Sequence, residues 1–570
     1  MNDLRGGMSV LRSDAGRVLL WSLVGAALAQ ALIWRAGAGN PDGFSPIFAF
    51  LLAAYDGHGN LLLLVVAACA FFLRSRPGAL AAIRFAGDRP WLVAAAAFPL
   101  LCAGSVFVYQ AYPLSMDEYL AVFQAEAFAA GRRAGTFPPE LLDQLIPRMF
   151  QNYFFTVARA TGEVSAAYWP GFALLLAPFA ALGVPWAANP AIGALTLPAL
   201  HRLTELATGS REAAGWALAI ALASPAFVVT SISYYSMPAH LLGNLLYALL
   251  LLQPTVPRAL LAGLIGSLAL TLHNPFPHLL FSIGFLVWLC TRRGAAALVA
   301  ALIAGYLPLS VLLGVGWHGH LPELVRATAP AGPATVAAPQ PGLIDVIANH
   351  LRSVVTLPDA RIVLARLSGL SKIWTWGASC LLVLAALGFW MARGRANVRL
   401  LAAALATTFF GYFLVPFDQG HGWGYRYIHS AWFVLPLLAA IPLAGSDVRR
   451  EEDLRRMAAW AIVLSALLAT GLRLVQVDTF ISRQRAQVPP LAARADADRP
   501  EVVFVNIRTG FYTRDLVQND PFLRGPRVTM VYEGAERTAA LMASRFPGYR
   551  RSAQEEWGEL WMPTRRNATD

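Results

Sequence analysis

The chain has 570 residues, 57% of them hydrophobic and 14% charged, with a mean hydropathy of +0.52. A soluble globular chain is about a quarter charged, so this composition excludes that class and points to a polytopic membrane protein. The formal net charge of +12 does not mark a nucleic-acid partner, because the arginines gather in short loops between apolar runs, where the positive-inside rule expects them.

A hydrocarbon core of about 30 Å needs roughly 20 apolar residues of helix, and on that measure the chain offers about 13 transmembrane spans. They lie near 17–35, 58–73, 91–112, 187–206, 212–230, 237–253, 259–273, 276–291, 295–315, 372–392, 399–417, 429–445 and 456–474. The first follows Arg5, Arg12 and Arg17 and is long for a signal-peptide core, so it reads as a retained helix with a cytoplasmic N-terminus. From that start the Arg-bearing loops 74–89, 201–212, 254–258, 291–294, 392–399 and 445–456 fall inside. The segments 113–186, 231–240, 273–278, 316–371 and 418–429, and the chain after 475, fall outside. YWPGFALLLAPFAALG (168–183) is also apolar, but as a span it would invert every later loop, so it reads as a helix lying at the outer surface. Beyond 475 the apolar continuity stops, and VVFV (502–505) and RVTMVY (527–532) read as strands among turn signals. This predicts a membrane domain over 1–474 and a small α/β domain over 475–570. Cys69, Cys102, Cys290 and Cys380 all sit in apolar runs and form no disulfide or zinc pattern.

Three constellations carry chemistry. In PLSMDEYLAVFQAEAFAAGRR (113–133), Asp117 and Glu118 suit the first turn of a helix capped by Ser115. Their place directly at the lipid boundary also makes them site candidates. In HGWGYRYIH (421–429) an aromatic belt accounts for Trp423, Tyr425 and Tyr427. Arg426, however, enters a span from its outer end, where a guanidinium among aromatics and glycines suits a phosphate. HNPFPH (273–278) and SYYSMPAH (233–240) are proline-broken helix ends, tolerated at membrane depth only where the freed backbone is buried or lines a cavity. They add His240, His273, Asn274 and His278 as cavity candidates. The His273/His278 spacing matches no helical metal-ligand pair, so a divalent metal is not supported. HGH (318–320) reads as loop, and Arg473, beside the start of the tail, as a position tolerant of lysine. No acid falls in the middle of a proposed span, and no repeat is present.

An acid-bearing motif after an early outward span, a long outer loop, and YWPG followed by an apolar run and an Arg-bounded span together resemble the GT-C superfamily of integral membrane glycosyltransferases. The nearest types are the bacterial protein O-mannosyltransferases and the aminoarabinose–lipid A transferases. The resemblance covers residues 91–290 well and the later spans loosely. It implies an all-α polytopic membrane protein with outer juxtamembrane helices and a small C-terminal α/β domain. It implies inverting transfer of a sugar from a polyprenyl-phosphate donor to a lipid, glycan or protein acceptor, among membrane lipids, at the periplasmic face of a bacterial inner membrane. Asp117 would match the family's acid, as base or acceptor-orienting group, with Glu118 as its neighbour. Arg426, with His421 and Tyr425, would hold the donor phosphate. Tyr168 and Trp169 stand where a Lys-Pro-Pro-type motif opens a juxtamembrane helix. No cofactor is implied with certainty. Two departures stand out: two extra spans precede the acid, and His240 occupies the region where many members carry a second acid. A transporter or flippase of lipid-linked sugars is the second reading, disfavoured by the lack of midplane acids and repeats.

Overall fold

The computed structural model describes residues 13–76, 80–326, 355–444, 448–493, 495 and 500–564. Arg5, Arg12 and the centre of the expected outer loop 316–371 lie outside the described residues. Among the described residues six helices are long and apolar enough to cross a membrane: Asp14–Gly37, Pro46–Leu73, Pro90–Phe107, Ala295–Leu321, Ala396–Leu414 and Glu452–Ala486. Arg211–Ala223 and Pro225–Ser231 qualify together, bent by 65°. The bend falls at Ser224, whose extended backbone is what a residue preceding proline favours. Met237–Leu251, Val256–Thr271, Phe276–Cys290 and Leu381–Ala392 are shorter apolar helices at the positions of other expected spans. The chain is a multi-pass, mainly helical membrane protein.

Several expected boundaries move. The span expected at 372–392 is broken. Helix Ala360–Thr375 ends at Trp376, and Leu381–Ala392 starts only after Cys380, which adopts a left-handed conformation at φ 67°. The last long helix runs to Ala486, so a division at 474 cuts through it. The segment 113–186, expected to lie outside, holds more than juxtamembrane helices. After helix Met116–Ala129 come strands β1 (Gly135–Thr136), β2 (Phe155–Ala158) and β3 (Glu163–Ala166), with β3 antiparallel to both others. Helix Gly171–Ala181 follows, and its 11 residues are too few to span.

The C-terminal strands β4 (Glu501–Val505), β5 (Arg527–Val531), β6 (Tyr549–Glu555) and β7 (Gly558–Pro563) form a mixed sheet in the order β5-β4-β7-β6. All of β4 is buried, as its nearly continuous apolar sequence requires. This sheet shares one core with the outer loop: Leu120, Phe123 and Phe155 pack in the same cluster as Phe504, Met530 and Met542. Tyr119 ties the two parts, donating to the Asn519 carbonyl at 2.5 Å and accepting from its N–H at 2.7 Å.

Inside the bundle Asp56 accepts from Lys372 Nζ at 2.8 Å and Trp376 Nε1 at 2.7 Å, and lies 3.0 Å from Arg473 Nη2. All three charged side chains are 1% exposed. Two expectations are corrected here. An acid does sit within a membrane helix: the span was placed from 58, but the helix starts at Pro46 and includes Asp56. Arg473 is no tolerant surface position, because it also donates to the carbonyls of Tyr55 and Thr375 and to Gln476. A lysine there would lose the fork.

Removing one partner from a buried ion cluster costs about 3–5 kcal/mol, so Asp56→Asn is expected to lower the melting temperature of the detergent-purified protein sharply. An unchanged melting curve would show that the cluster carries no stability. The loop charges also predict sidedness. In a background freed of native cysteines, Thr161→Cys and Gly548→Cys should react with a membrane-impermeant thiol reagent in intact spheroplasts, and Gly394→Cys should not. The reverse pattern would invert the topology.

Candidate active site

Helix Met116–Ala129 begins after the extended residue Ser115, but Ser115 does not cap it. Its hydroxyl lies 3.0 Å from the Tyr235 hydroxyl, and Asp515 instead accepts the N–H of Met116. Successive helical residues point about 100° apart, so Asp117 and Glu118 face different surroundings. Glu118 turns inward and is fully buried. It accepts from the Tyr109 hydroxyl at 2.7 Å, the Tyr234 N–H at 2.9 Å and the Leu114 N–H at 2.9 Å. It thus ties the end of helix Pro90–Phe107, the helix start and the turn before Met237. Burial lifts its carboxyl to about 7, against the pull of those hydrogen bonds.

Asp117 faces a cavity of about 450 Å³. Tyr168, Trp169, His240, His273, Asn274 and Arg426 line it as well, so residues from five separate sequence motifs meet. YWPG and HNPFPH do so by direct docking. Phe172 N–H donates to the Leu272 carbonyl at 3.1 Å, and a Cβ on Gly171 would stand 2.6 Å from the Thr271 oxygen. The proline-broken backbone between Thr271 and Phe276 is therefore partly buried against the loop and partly lines the cavity, the two places where such backbone is tolerated.

The central contact is Arg426 Nη1 to Asp117 Oδ2 at 2.8 Å, with the Tyr168 hydroxyl donating to Oδ1 at 2.5 Å. Nη1 also donates to the His421 carbonyl at 2.8 Å, and the guanidinium lies 4.5 Å from the Tyr235 ring centroid. The glycines of HGWGYR make room for this: at φ +138° Gly422 is in a conformation open to glycine, and a Cβ there would lie 2.3 Å from Arg426 Cδ. Burial pushes the Asp117 carboxyl up, but Arg426, His273 and the Tyr168 hydrogen bond outweigh it and hold it at about 2. Burial likewise works against the Arg426 cation, and Asp117 outweighs it, raising the guanidinium above its ordinary value. Burial lowers His273 to about 4, which leaves its imidazole neutral. Among the described residues Arg426 is the only Lys or Arg lining the cavity, and Asp117 its only carboxylate.

Other expected members stand elsewhere. His421 lies behind Arg426, its Nδ1 2.6 Å from the Tyr235 hydroxyl, and burial lowers it to about 3. Tyr425 packs on Gly369, away from the cavity. His278 is fully buried between Asn244 Oδ1 and the Tyr306 hydroxyl, each 2.6 Å from a ring nitrogen, and pins helices together. His240 is different: it is 3% exposed, and neither ring nitrogen has a hydrogen-bond partner among the described residues.

Sequence reasoning missed Tyr153, Ser236, His318, Tyr412, Gln419 and Tyr427, all of which line the cavity. His318 is helical, not in a loop, and its ring centroid lies 4.6 Å from that of Trp169. The apolar run from 295 to 315 carried the signal, since the helix passes through Pro308 and continues beyond HGH to Leu321. Among the described residues no group of three or more His, Cys, Asp or Glu is placed to hold a metal ion.

No protein-family model and no curated protein matches the chain in sequence. Among solved structures it is similar to ArnT from Cupriavidus metallidurans bound to undecaprenyl phosphate, with 12% identity and a TM-score of 0.51 over 83% of this chain and 98% of that one. The apo form of the same ArnT gives 11% identity and a TM-score of 0.48 over 83% of this chain and 97% of that one. The likeness is one of fold: the chain has an ArnT-like architecture.

Glu126, also on helix Met116–Ala129, is lifted to about 7 by burial and by Asp520 nearby, and burial lifts Asp515 to about 7. An acid raised on folding favours the protonated native state. Its stabilising effect is full below the ordinary carboxyl range and is lost as pH rises through about 7. The melting temperature is therefore expected to fall between pH 5 and pH 8, and Glu126→Gln to flatten that fall and raise the value at pH 8. An unaltered pH dependence in Glu126→Gln would refute the assignment.

Proposed function

We propose that the protein is a glycosyltransferase that moves a sugar from a polyprenyl-phosphate donor to an acceptor hydroxyl, at the outer face of a bacterial inner membrane. The observation that carries this reading is the Asp117–Arg426 pair facing a cavity with no other carboxylate, lysine or arginine among the described residues. The GT-C-type fold supports it, as does the undecaprenyl phosphate bound by the ArnT of similar architecture. The Arg-poor loops around the cavity support the outward placement.

The donor phosphate falls to Arg426, whose planar fork suits a phosphodiester. Engaging it draws the guanidinium from Asp117. A carboxylate held at about 2 is a weak base, and loss of its cation raises its proton affinity as the reaction needs. The acceptor hydroxyl then hydrogen-bonds to Asp117 and its oxygen attacks the anomeric carbon. The bond from that carbon to the phosphate oxygen breaks, its electron pair leaves with the oxygen, the proton passes to Asp117, and the leaving lipid phosphate gains a negative charge that Arg426 stabilises. A single displacement of this kind inverts the anomeric centre. Tyr153, Tyr168, Trp169 and Tyr427 offer ring faces to the sugar, and His240 and Asn274 offer unbranched polar contacts to its hydroxyls. His421 acts by placing Arg426 through its carbonyl, and Glu118 by fixing the helix that carries Asp117. The acceptor is a lipid, glycan or protein.

Asp117→Asn keeps the shape and hydrogen-bonding reach of the side chain but cannot take the proton. General base catalysis is worth roughly a hundred- to ten-thousand-fold, and transfer from an undecaprenyl-phosphate-linked sugar should fall by that order while the protein stays monodisperse in detergent. Arg426→Lys should weaken donor binding by losing the fork. Near-normal turnover by folded Asp117→Asn would end this reading.

A further inference from the structure

At the end of the bundle away from this cavity, a cleft of about 430 Å³ opens between helix Leu80–Asp88, helix Arg211–Ala223 and Arg455. Helix Pro90–Phe107 starts beside it and ends next to Tyr109, the partner of Glu118. Its 18 residues at 1.5 Å each separate the two sites by about 27 Å. The two helices forming the cleft touch through glycines. A Cβ on Gly87 would lie 3.1 Å from Gly215 Cα, and His201 secures the crossing with Nε2 at 2.8 Å from the Gly87 carbonyl. This close approach brings Trp216, next to Gly215, into the cleft wall.

The buried, unsatisfied groups of the cleft are all donors. Trp216 is 1% exposed, and its Nε1 has no hydrogen-bond partner among the described residues. Arg455 is 7% exposed; its Nη2 pairs with Glu212, while its Nε has no partner among the described residues. Arg84 lines the same cleft, repels Arg455 and forms no salt bridge among the described residues. Arg211, the third arginine, stands 3.9 Å from Asp88. Indole and guanidinium groups have no acceptor capacity, so only an acceptor satisfies them, and an anion with several oxygens also relieves the opposed arginines. Phe85, on the cleft helix Leu80–Asp88, and Trp91, in the first turn of helix Pro90–Phe107, are strongly exposed apolar side chains.

We infer that this cleft binds a phosphate group, carried either by the headgroup of an anionic lipid or by a soluble phosphate ester. The inference is independent of the reaction proposed for the cavity.

The test uses the full-length protein in detergent and native mass spectrometry. Probes are phosphatidylglycerol, phosphatidylcholine with the same acyl chains, and inorganic phosphate. Phosphatidylglycerol should be retained in preference to phosphatidylcholine. Arg84→Gln and Trp216→Phe should each weaken its retention about tenfold, the scale of one hydrogen bond to a charged group, and Arg258→Gln should not. Arg84 is exposed, so its variant tests binding without threatening the fold. Retention that resists inorganic phosphate identifies a lipid headgroup. Binding of inorganic phosphate that depends on Arg84, without lipid retention, identifies a soluble ester. Equal retention of both lipids, or binding of either anion that is indifferent to Arg84 and Trp216, overturns the inference.

Discussion

Charge taken out of water must be matched inside the bundle, and the helices are arranged around the places where this happens. Asp56, Lys372 and Arg473 meet with no water to share, so three distant parts of the chain are held to one register. Arg366 solves a related problem. Fully buried, it donates to the carbonyls of Tyr412, Val415 and Phe417 at 2.7–2.8 Å, just beyond the end of helix Ala396–Gly411, where carbonyls lack helical partners. Its guanidinium also lies 4.6 Å from the Tyr427 ring centroid, and Tyr427 stacks on Tyr412 at 4.3 Å. An arginine outside the cavity thereby sets two of the cavity's aromatic walls.

The same matching reaches the acidic pair by contact. Trp376 donates to Asp56 and lies 6.0 Å from Trp423. Trp423 donates to the Tyr109 hydroxyl at 3.0 Å, and Tyr109 donates to Glu118. The buried ion cluster, the aromatic loop 421–429 and the helix bearing Asp117 are thus one connected framework. Such a framework gives Asp117 and Arg426 a fixed separation without further charges in the cavity. That matters for a lipid phosphate, because a second fixed anion there would oppose it and a second cation would hold the leaving group.

The sequence disclosed the polar groups whose positions break a rule and concealed those that obey one. Arg426 at an outer span end, the proline-broken HNPFPH and YWPG before an apolar run all stood out, and all reach the cavity. Tyr153, Tyr412 and Tyr427 look like an interfacial aromatic belt, so nothing in their type distinguished them. That Asp117 and Glu118 face different sides follows from their adjacency on a helix, and Asp117, the expected base, is the one that meets the cavity. The small strands at 135–166 lay in a segment too short and too mixed for a period-two pattern to show. Asp56 was overlooked for a simpler reason. Its helix extends beyond its apolar stretch because Lys372 and Arg473, remote in sequence, make the acid tolerable there.

That last point bears on the first two long helices of the described residues. Asp14–Gly37 and Pro46–Leu73 are joined by Asn60, whose amide donates to the Ala26 carbonyl and to Gln30, each at 2.9 Å. The pair packs on helix Ala360–Thr375: Gly25 meets Trp374 so closely that a Cβ would stand 2.5 Å from the indole. The acid they deliver is the only carboxylate paired with Lys372 and Arg473 among the described residues. Without it two cations would lie buried with no counter-charge, and Lys372 would also lose the hydrogen bond it makes to Asp56. A bundle lacking these helices would need apolar residues at 372 and 473, or an acid from elsewhere. The first two helices and the two buried cations therefore form one charge-matched unit, in which removing the acid leaves both cations uncompensated.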